Sequence, residues 1–566
     1  MQKRIVIVGG VAGGATCATR LRRVDEQARI TVLERGPFVS FANCGLPYYV
    51  GKVITQESKL LLASPELFCD RFSIEVRTRH EVVAIDPQAR EVTVRDLETA
   101  REYREPFDAL VLSPGAAPIR PTVTGIDLPG IFTLRSVPDS REIREWIAAR
   151  GARRAVVVGG GFIGLEMAEN LMEQGIAVTI VEMAQQVMPP LDPEMAELVR
   201  ERLAEYGVTV RLGDGLARFE RAVNGSLMVY TRAGTAFAAD LVVLAIGVRP
   251  DTQLARAAGL AIGERGGIRV DDHMRTSDPH IWAVGDAVEV KNMVTGQWEL
   301  LPLAGPANRQ ARIAADAICG RDVRFRGVQG TAVVGLFGLT AALTGATEKA
   351  LRRAGISDAR SVYLHPNDHV GYYPGAKTIH LKLVFRASDG LVLGAQAVGE
   401  AGVERRIDVI ATAIQMGATV FDLEEAELSY APQYGAAKDP VNVAGMIAAN
   451  VQRGDVDLAS WSDLATTKAF LLDVRDPVEC AAEPLPGALN IPLRQLRARL
   501  GELPRGREIW VTCAAGQRAY YGCRILAQEG FTVRNLSGGY QTYKAVHGAA
   551  RSPLQEAEAA LQPRHA

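Results

Sequence analysis

Residues 156–166 read VVVGGGFIGLE. Three β-branched residues make a short buried strand, and Gly159, Gly161 and Gly164 follow in G-x-G-x-x-G spacing at the start of an apolar helical run. The first glycine permits a tight turn, the second lets backbone amides approach a pyrophosphate, and the third lets helix and strand pack closely. Phe162 and Ile163 open the helix, whose N-terminus favours an anion. Glu182 ends the next apolar strand about 20 residues on, where a carboxylate accepts hydrogen bonds from a ribose 2′-hydroxyl. Gly247, after the later strand LVVLAIG, joins this candidate set. An acid at 182 repels a 2′-phosphate, so NADH is favoured over NADPH; Arg153 and Arg154 precede the strand and do not reverse that preference.

The same grammar opens the chain in RIVIVGGVAGGATCATRLRR, residues 4–23. Gly9 and Gly14 hold the outer glycine positions and Gly13 lies beside them, but Val11 stands where the middle glycine is expected. Glu34, ending ITVLE and followed by Arg35, restores the ribose-binding acid. Two such units predict an α/β fold with two Rossmann-like domains.

Composition sets the outer bounds. With 566 residues the chain is expected to hold three or four domains at ~100–200 residues each. A formal charge of −1 gives no support for nucleic acid as a partner. No apolar run approaches the ~20 residues needed to cross a bilayer, and the N-terminus lacks a signal-peptide pattern. Seven thinly spread cysteines do not make a disulfide framework, so a cytoplasmic protein with reduced thiols is expected. Nothing points to a bound metal. The texture changes near residue 327 to alternating strands and glycine turns, as in an α+β domain, and a further small α/β unit starts near AFLLDVRDP. The tail RSPLQEAEAALQPRHA reads as a frayed terminus.

ALVLSPGAAP, with Ser113, Pro114 and Gly115, and PHIWAVGDAVE, with Gly285 and Asp286, complete a pattern. Together with the two glycine units they make residues 1 to about 445 resemble the flavoprotein disulfide reductases with two dinucleotide-binding domains. GGVAGGATCATRLRR and SFANCGLPYY look most like the coenzyme A disulfide reductase branch. The resemblance implies FAD on the first unit, with Asp286 on the ribityl hydroxyls and Ala12 and Asn43 among the contacts, and NAD(P)H on the second. It also implies a homodimer through a dimerisation domain, with the active site completed by Tyr430 and either Tyr372 or Tyr373. The domains expected are 1–150 and 271–326 for FAD, 151–270 for NAD(P)H and 327–445 for dimerisation. A linker over 446–464 leads to a last domain over 465–555.

Cys44 in SFANCGLPYY has no second thiol nearby, whereas glutathione-reductase-like relatives carry C-x-x-x-x-C there. Cys17 and Cys69 read as core cysteines. A lone reactive thiol, whose pKa should be lowered, must form its mixed disulfide with the substrate or oxidise to a sulfenic acid. Related NADH oxidases and peroxidases take the second course and carry a histidine where this chain has Ala12, which argues against peroxide chemistry. Arg20, Arg23, Ser40 and Asn43 match positions placed near coenzyme A by the resemblance; arginines suit its phosphates.

Residues 465–555 resemble a rhodanese domain. LLDVRDPVEC, LPGALNIPL and NLSGGYQTY surround the loop CAAGQRA, with Cys513 as the expected sulfur acceptor and Arg518 leading into a helix. Successive amides at such a loop form a nest for anionic sulfur. Phosphatases use a longer version of this cradle, so the short loop favours sulfur. Together these parts predict an NAD(P)H-dependent flavoprotein that reduces coenzyme A persulfide, polysulfide or a related small sulfur substrate. A plain coenzyme A disulfide reductase is the alternative, and an NADH oxidase or peroxidase a more distant one.

Overall fold

The computed structural model of the chain describes residues 2–223 and 225–549. The tail read as frayed lies outside the described residues. The described residues divide into two compact units, 2–181 with 214–328, and 182–213 with 329–549.

In the first unit, the strands Ile281–Ala283, Ala109–Leu112, Arg4–Val8, Arg29–Glu34 and Glu75–Thr78 lie in that order in one parallel sheet. Ile5, Ile7, Leu110 and Val32 are almost fully buried, as expected of parallel strands covered on both faces. The chain therefore returns after residue 271 to add a strand beside Ala109–Leu112, and its helix Ala304–Ile318 packs on Ala12–Val24. A second parallel sheet orders Ala177–Val181, Arg154–Val158, Leu241–Leu244 and Ile131–Thr133. Local chemistry sets the element ends. The helix Val137–Arg150 starts at a Ser136–Asp139 capping box and stops at Gly151, whose φ of 58° is left-handed.

The second unit holds a five-stranded antiparallel sheet in the order Ala332–Leu336, Leu339–Gly345, Val392–Gly399, Ile379–Arg386, Ala359–Leu364. Helices Val403–Gln415 and Pro440–Gln452 pack against it. Lys382 on the fourth of these strands is wholly buried, and its ammonium donates to Asp192 Oδ2 (2.8 Å), Glu194 Oε1 (2.6 Å) and Glu348 Oε2 (2.9 Å). Three carboxylates with ligand atoms within 4.8 Å of one another are thus gathered around a cation that the chain itself supplies. A last parallel sheet runs Leu458–Ala459, Val533–Leu536, Ile509–Thr512, Phe470–Asp473, Leu489–Asn490. Its helix Gly539–Ala549 lies against Pro193–Glu205. Among the described residues no helix is long and apolar enough to cross a membrane.

Candidate active site

Both glycine loops end in helices whose first turns receive no capping bond from the residue before them: Val11 for Ala12–Val24 and Gly161 for Phe162–Met172. Their leading amides remain open to an anion. A Cβ on Gly14 would lie 1.8 Å from the Gly9 carbonyl oxygen, and one on Gly164 would lie 2.0 Å from that of Gly159. Only glycine permits this approach of helix to turn. Glu34 accepts from the Gly10 amide (2.7 Å) and the Gly36 amide (2.7 Å), so its carboxylate is fixed at the C-terminal end of its strand, and Arg35 pairs with Asp251. Glu182 follows the strand Ala177–Val181 in the chain and belongs to the other unit, where its Oε1 accepts the Ala184 amide at 2.7 Å.

Around the first loop the separate motifs converge. A Cβ on Gly13 would lie 2.7 Å from Ser113 Oγ, and the Gly285 amide donates to Gln310 Oε1 at 2.8 Å. Arg135 reaches Asp286 at 3.4 Å and packs on Gly115, whose Cβ position is 2.6 Å from its guanidinium. With its amide oriented to satisfy both neighbours, Asn43 donates to the Phe41 carbonyl (3.2 Å) and accepts from Arg135 (2.8 Å). Burial holds the Asp286 carboxyl above its ordinary value, with Arg135 opposing. The capless helix ends, the glycine approaches and this buried acid fit a dinucleotide.

Cys44 sits in the short turn Asn43–Gly45, just before the helix Leu46–Val50, and is exposed. Ser40 opens this loop in left-handed backbone (φ 47°), its amide bonded to the Gly10 carbonyl at 2.8 Å. The structure departs from the lowered thiol pKa expected of Cys44. Crowding around the sulfur pushes it up, Glu166 and Asp286 push further in that order, and Arg135 pulls down. Glu166 lies far along the chain from Cys44, on the helix Phe162–Met172 of the second glycine unit. Tyr48 donates to Glu166 Oε1 at 3.3 Å, and burial raises the Glu166 carboxyl to about 7. Glu166, Tyr48 and Arg135 are the neighbours that motif reading missed, because they join this site only through folding.

Of the residues placed near coenzyme A, Arg20 is committed to a bidentate ion pair with Asp316 (2.8 and 2.9 Å). Arg23 is exposed. Cys17 is buried, but Cys69 is exposed, against the expectation of a core thiol. The helix Pro65–Phe72 buries Phe68 as its only fully buried residue, and the next position turns outward.

In the second unit, Tyr372 and Tyr430 meet hydroxyl to hydroxyl at 2.8 Å, and both are exposed. Tyr373 turns instead to the edge of the His369 ring. Cys513 follows the buried strand Ile509–Thr512, and the Gly516 amide points at its sulfur at 3.1 Å before the helix Gln517–Gln528 begins. Arg518 does not stand free over this loop. It forms a bidentate pair with Glu479 (2.7 and 2.6 Å), which holds that carboxyl down at about 2. Asp473 and Arg475 form a buried pair beneath Tyr540.

Residues 3–311 match the pyridine nucleotide-disulphide oxidoreductase family, 331–439 its dimerisation domain and 457–546 the rhodanese-like domain. The chain belongs to the pyridine nucleotide-disulphide oxidoreductase family. It is therefore an FAD- and NAD(P)H-dependent flavoprotein oxidoreductase with a C-terminal rhodanese-like domain. The crystal structure of reduced Bacillus anthracis CoADR-RHD is 46% identical with a TM-score of 0.94, over 96% of this chain and 98% of that one. An NAD-dependent persulfide reductase from A. fulgidus is 38% identical with a TM-score of 0.88, over 95% and 100%. The coenzyme A disulfide reductase of Staphylococcus haemolyticus is 34% identical, over 78% of this chain and 98% of its own length. That relative matches less of this chain than the two structures, which extend over nearly all of it.

Proposed function

We propose that this chain is an NADH-dependent reductase of coenzyme A persulfide and related sulfane-sulfur compounds, with Cys44 as the reacting thiol and Cys513 as a sulfur carrier. The observation that carries this reading is an exposed, unpaired Cys44 beside the flavin-type loops, in one chain with a second cysteine cradled by a short amide loop. Cys44 thiolate attacks a sulfur of R–S–SH. The S–S bond breaks, a Cys44–S–S–R bond forms and HS⁻ leaves. Two electrons and one proton then return Cys44 to thiolate and release R–SH. The chemistry FAD supplies when held by Gly9, Gly14, Glu34 and Asp286 is relay of the electron pair of NADH. Asn43 and Arg135 keep the Cys44 turn in place. The paired hydroxyls of Tyr372 and Tyr430 stand on the dimerisation domain, and in a homodimer they serve as proton donors to the departing thiol. Cys513 thiolate takes the outer sulfur of a persulfide or polysulfide, whose remaining thiolate leaves. The Cys513 persulfide then passes that sulfur to coenzyme A thiolate, giving the R–S–SH that Cys44 attacks, or to Cys44 thiolate directly, and Cys513 thiolate is released in either case.

NADH oxidation by the purified protein, followed with coenzyme A persulfide and with coenzyme A disulfide, tests this. Faster turnover of the persulfide is expected, lost in Cys44→Ser. Turnover of the disulfide alone makes the chain a coenzyme A disulfide reductase, the activity named for its curated relatives. Cys513→Ser is expected to slow polysulfide reduction, and an unchanged rate removes the relay.

A further inference from the structure

The Cys513 loop does not support itself. It rests on the segment Ser537–Gln541: the Tyr540 amide donates to the Cys513 carbonyl (2.8 Å) and the Gln541 amide to the Ala514 carbonyl (3.0 Å). Gly539 lies beneath, where a Cβ would fall 2.4 Å from the Cys513 carbonyl oxygen and 2.6 Å from the Gly516 amide. This segment is in turn clamped from the antiparallel sheet. The Tyr363 amide donates to Ser537 Oγ at 3.1 Å, and a Cβ on Gly538 would meet Tyr363 at 2.7 Å and His365 Nε2 at 3.1 Å. His365 Nε2 bonds Thr542 Oγ1 at 2.9 Å, and its Nδ1 bonds His380 Nδ1 at 2.9 Å. Thr542 is 2% exposed. Two imidazoles joined nitrogen to nitrogen need one ring to donate and the other to accept.

We infer that His365, held by His380, is a positioning residue for Cys513: through Thr542 and Ser537–Gln541 it shapes the sulfur-accepting loop, so sulfur transfer depends on how the C-terminal domain is seated on the antiparallel sheet. The inference rests on Cys513 being the sulfur acceptor. Burial supports neutral rings, holding His365 down at about 3 and His380 at about 4. Lys544 on the C-terminal helix opposes a positive charge on either ring. The facing helix Pro193–Glu205 carries Glu194, committed to Lys382 and Tyr363, and Glu201, which interacts with Lys544. Because the seated pair titrates below the ordinary 6.5, the seating is at full strength above that pH and weakens as pH falls from 6.5 toward about 4.

The test uses the full chain and thiosulfate with cyanide as probes. Cys513 thiolate takes the outer sulfur of thiosulfate, sulfite leaves, and cyanide removes that sulfur as thiocyanate to restore the thiolate. His365→Leu is expected to slow thiocyanate formation by about tenfold, as loss of one positioning bond implies, and to change the alkylation rate of Cys513 read by mass spectrometry. His365→Gln, whose amide can still reach Thr542, is expected to recover most of the rate. The wild-type rate should fall between pH 6.5 and 5 more steeply than that of His365→Gln. Thr542→Val should resemble His365→Leu, and serves if the latter does not fold. Wild-type rates and an unchanged pH profile in both variants would overturn the inference. Thiocyanate formation surviving in Cys513→Ser would instead remove the reading of Cys513 on which it stands.

Discussion

Glu166 shows most directly what one side chain does here. Its carboxyl and the Cys44 thiol are both held toward their protonated forms, and each charge opposes the other. The Glu166 charge raises the Cys44 thiol, so thiolate forms most easily while Glu166 keeps its proton. Replacing Glu166 with Gln keeps an acceptor for Tyr48 and removes the charge. The pH midpoint of Cys44 alkylation should then fall by about one unit, measured by mass spectrometry on the flavin-loaded protein. Stability should respond as well. A carboxyl raised from 4.5 to about 7 contributes stability that is complete below 4.5 and lost as pH rises through 7. The advantage of Glu166→Gln over wild type in thermal melts should therefore grow across that window. An alkylation midpoint that does not move would mean that Asp286 and burial alone set the Cys44 thiol.

At the scale of elements, the helices after both glycine loops start without a side-chain cap. Ser136 accepts the Asp139 amide of its helix with its own hydroxyl, whereas Gly161 has no side chain to do so. The Phe162–Met172 helix can open this way because Gly164 lets it lie against the turn. In Gly164→Ala the new methyl would overlap the Gly159 carbonyl, a backbone atom that cannot rotate away. NADH affinity should drop by at least about tenfold, read by quenching of NADH fluorescence, while bound flavin absorbance persists because the first loop is untouched. These glycine positions were legible in the sequence because the spacing itself encodes the turn. The exposure of Cys69 was not, since one cysteine on an eight-residue amphipathic helix can fall on either face.

At the scale of the whole molecule, Lys382 joins pieces that the chain holds far apart, from Asp192 through Glu348 to Gln396. Asp192 also accepts from Gln396 Nε2 at 2.7 Å, so the buried charges have few unused bonding positions. Lys382→Met would leave three carboxylates without their cation, and removing one partner of a buried pair costs about 3–5 kcal/mol. A fall in melting temperature of several degrees is expected by calorimetry, and a melting temperature within a degree of wild type would show that the cluster is relaxed by water. The exposed pair Tyr372–Tyr430 belongs to the same scale: Tyr372→Phe should lower persulfide turnover with little change in melting temperature, because its hydroxyl touches Tyr430 and no core residue.

The sequence by itself determined the two dinucleotide units, the lone thiol and the cysteine loop of the rhodanese-like domain, because each is written as a local spacing of glycine, cysteine and acid that acts over one turn of chain. Only the tertiary structure decided which tyrosine pairs with Tyr430, that Arg20 is bound to Asp316 and Arg518 to Glu479, and that Cys44 answers to Glu166. Charges and hydroxyls act through space at a few ångströms, and the partners they find lie tens to hundreds of residues away along the chain.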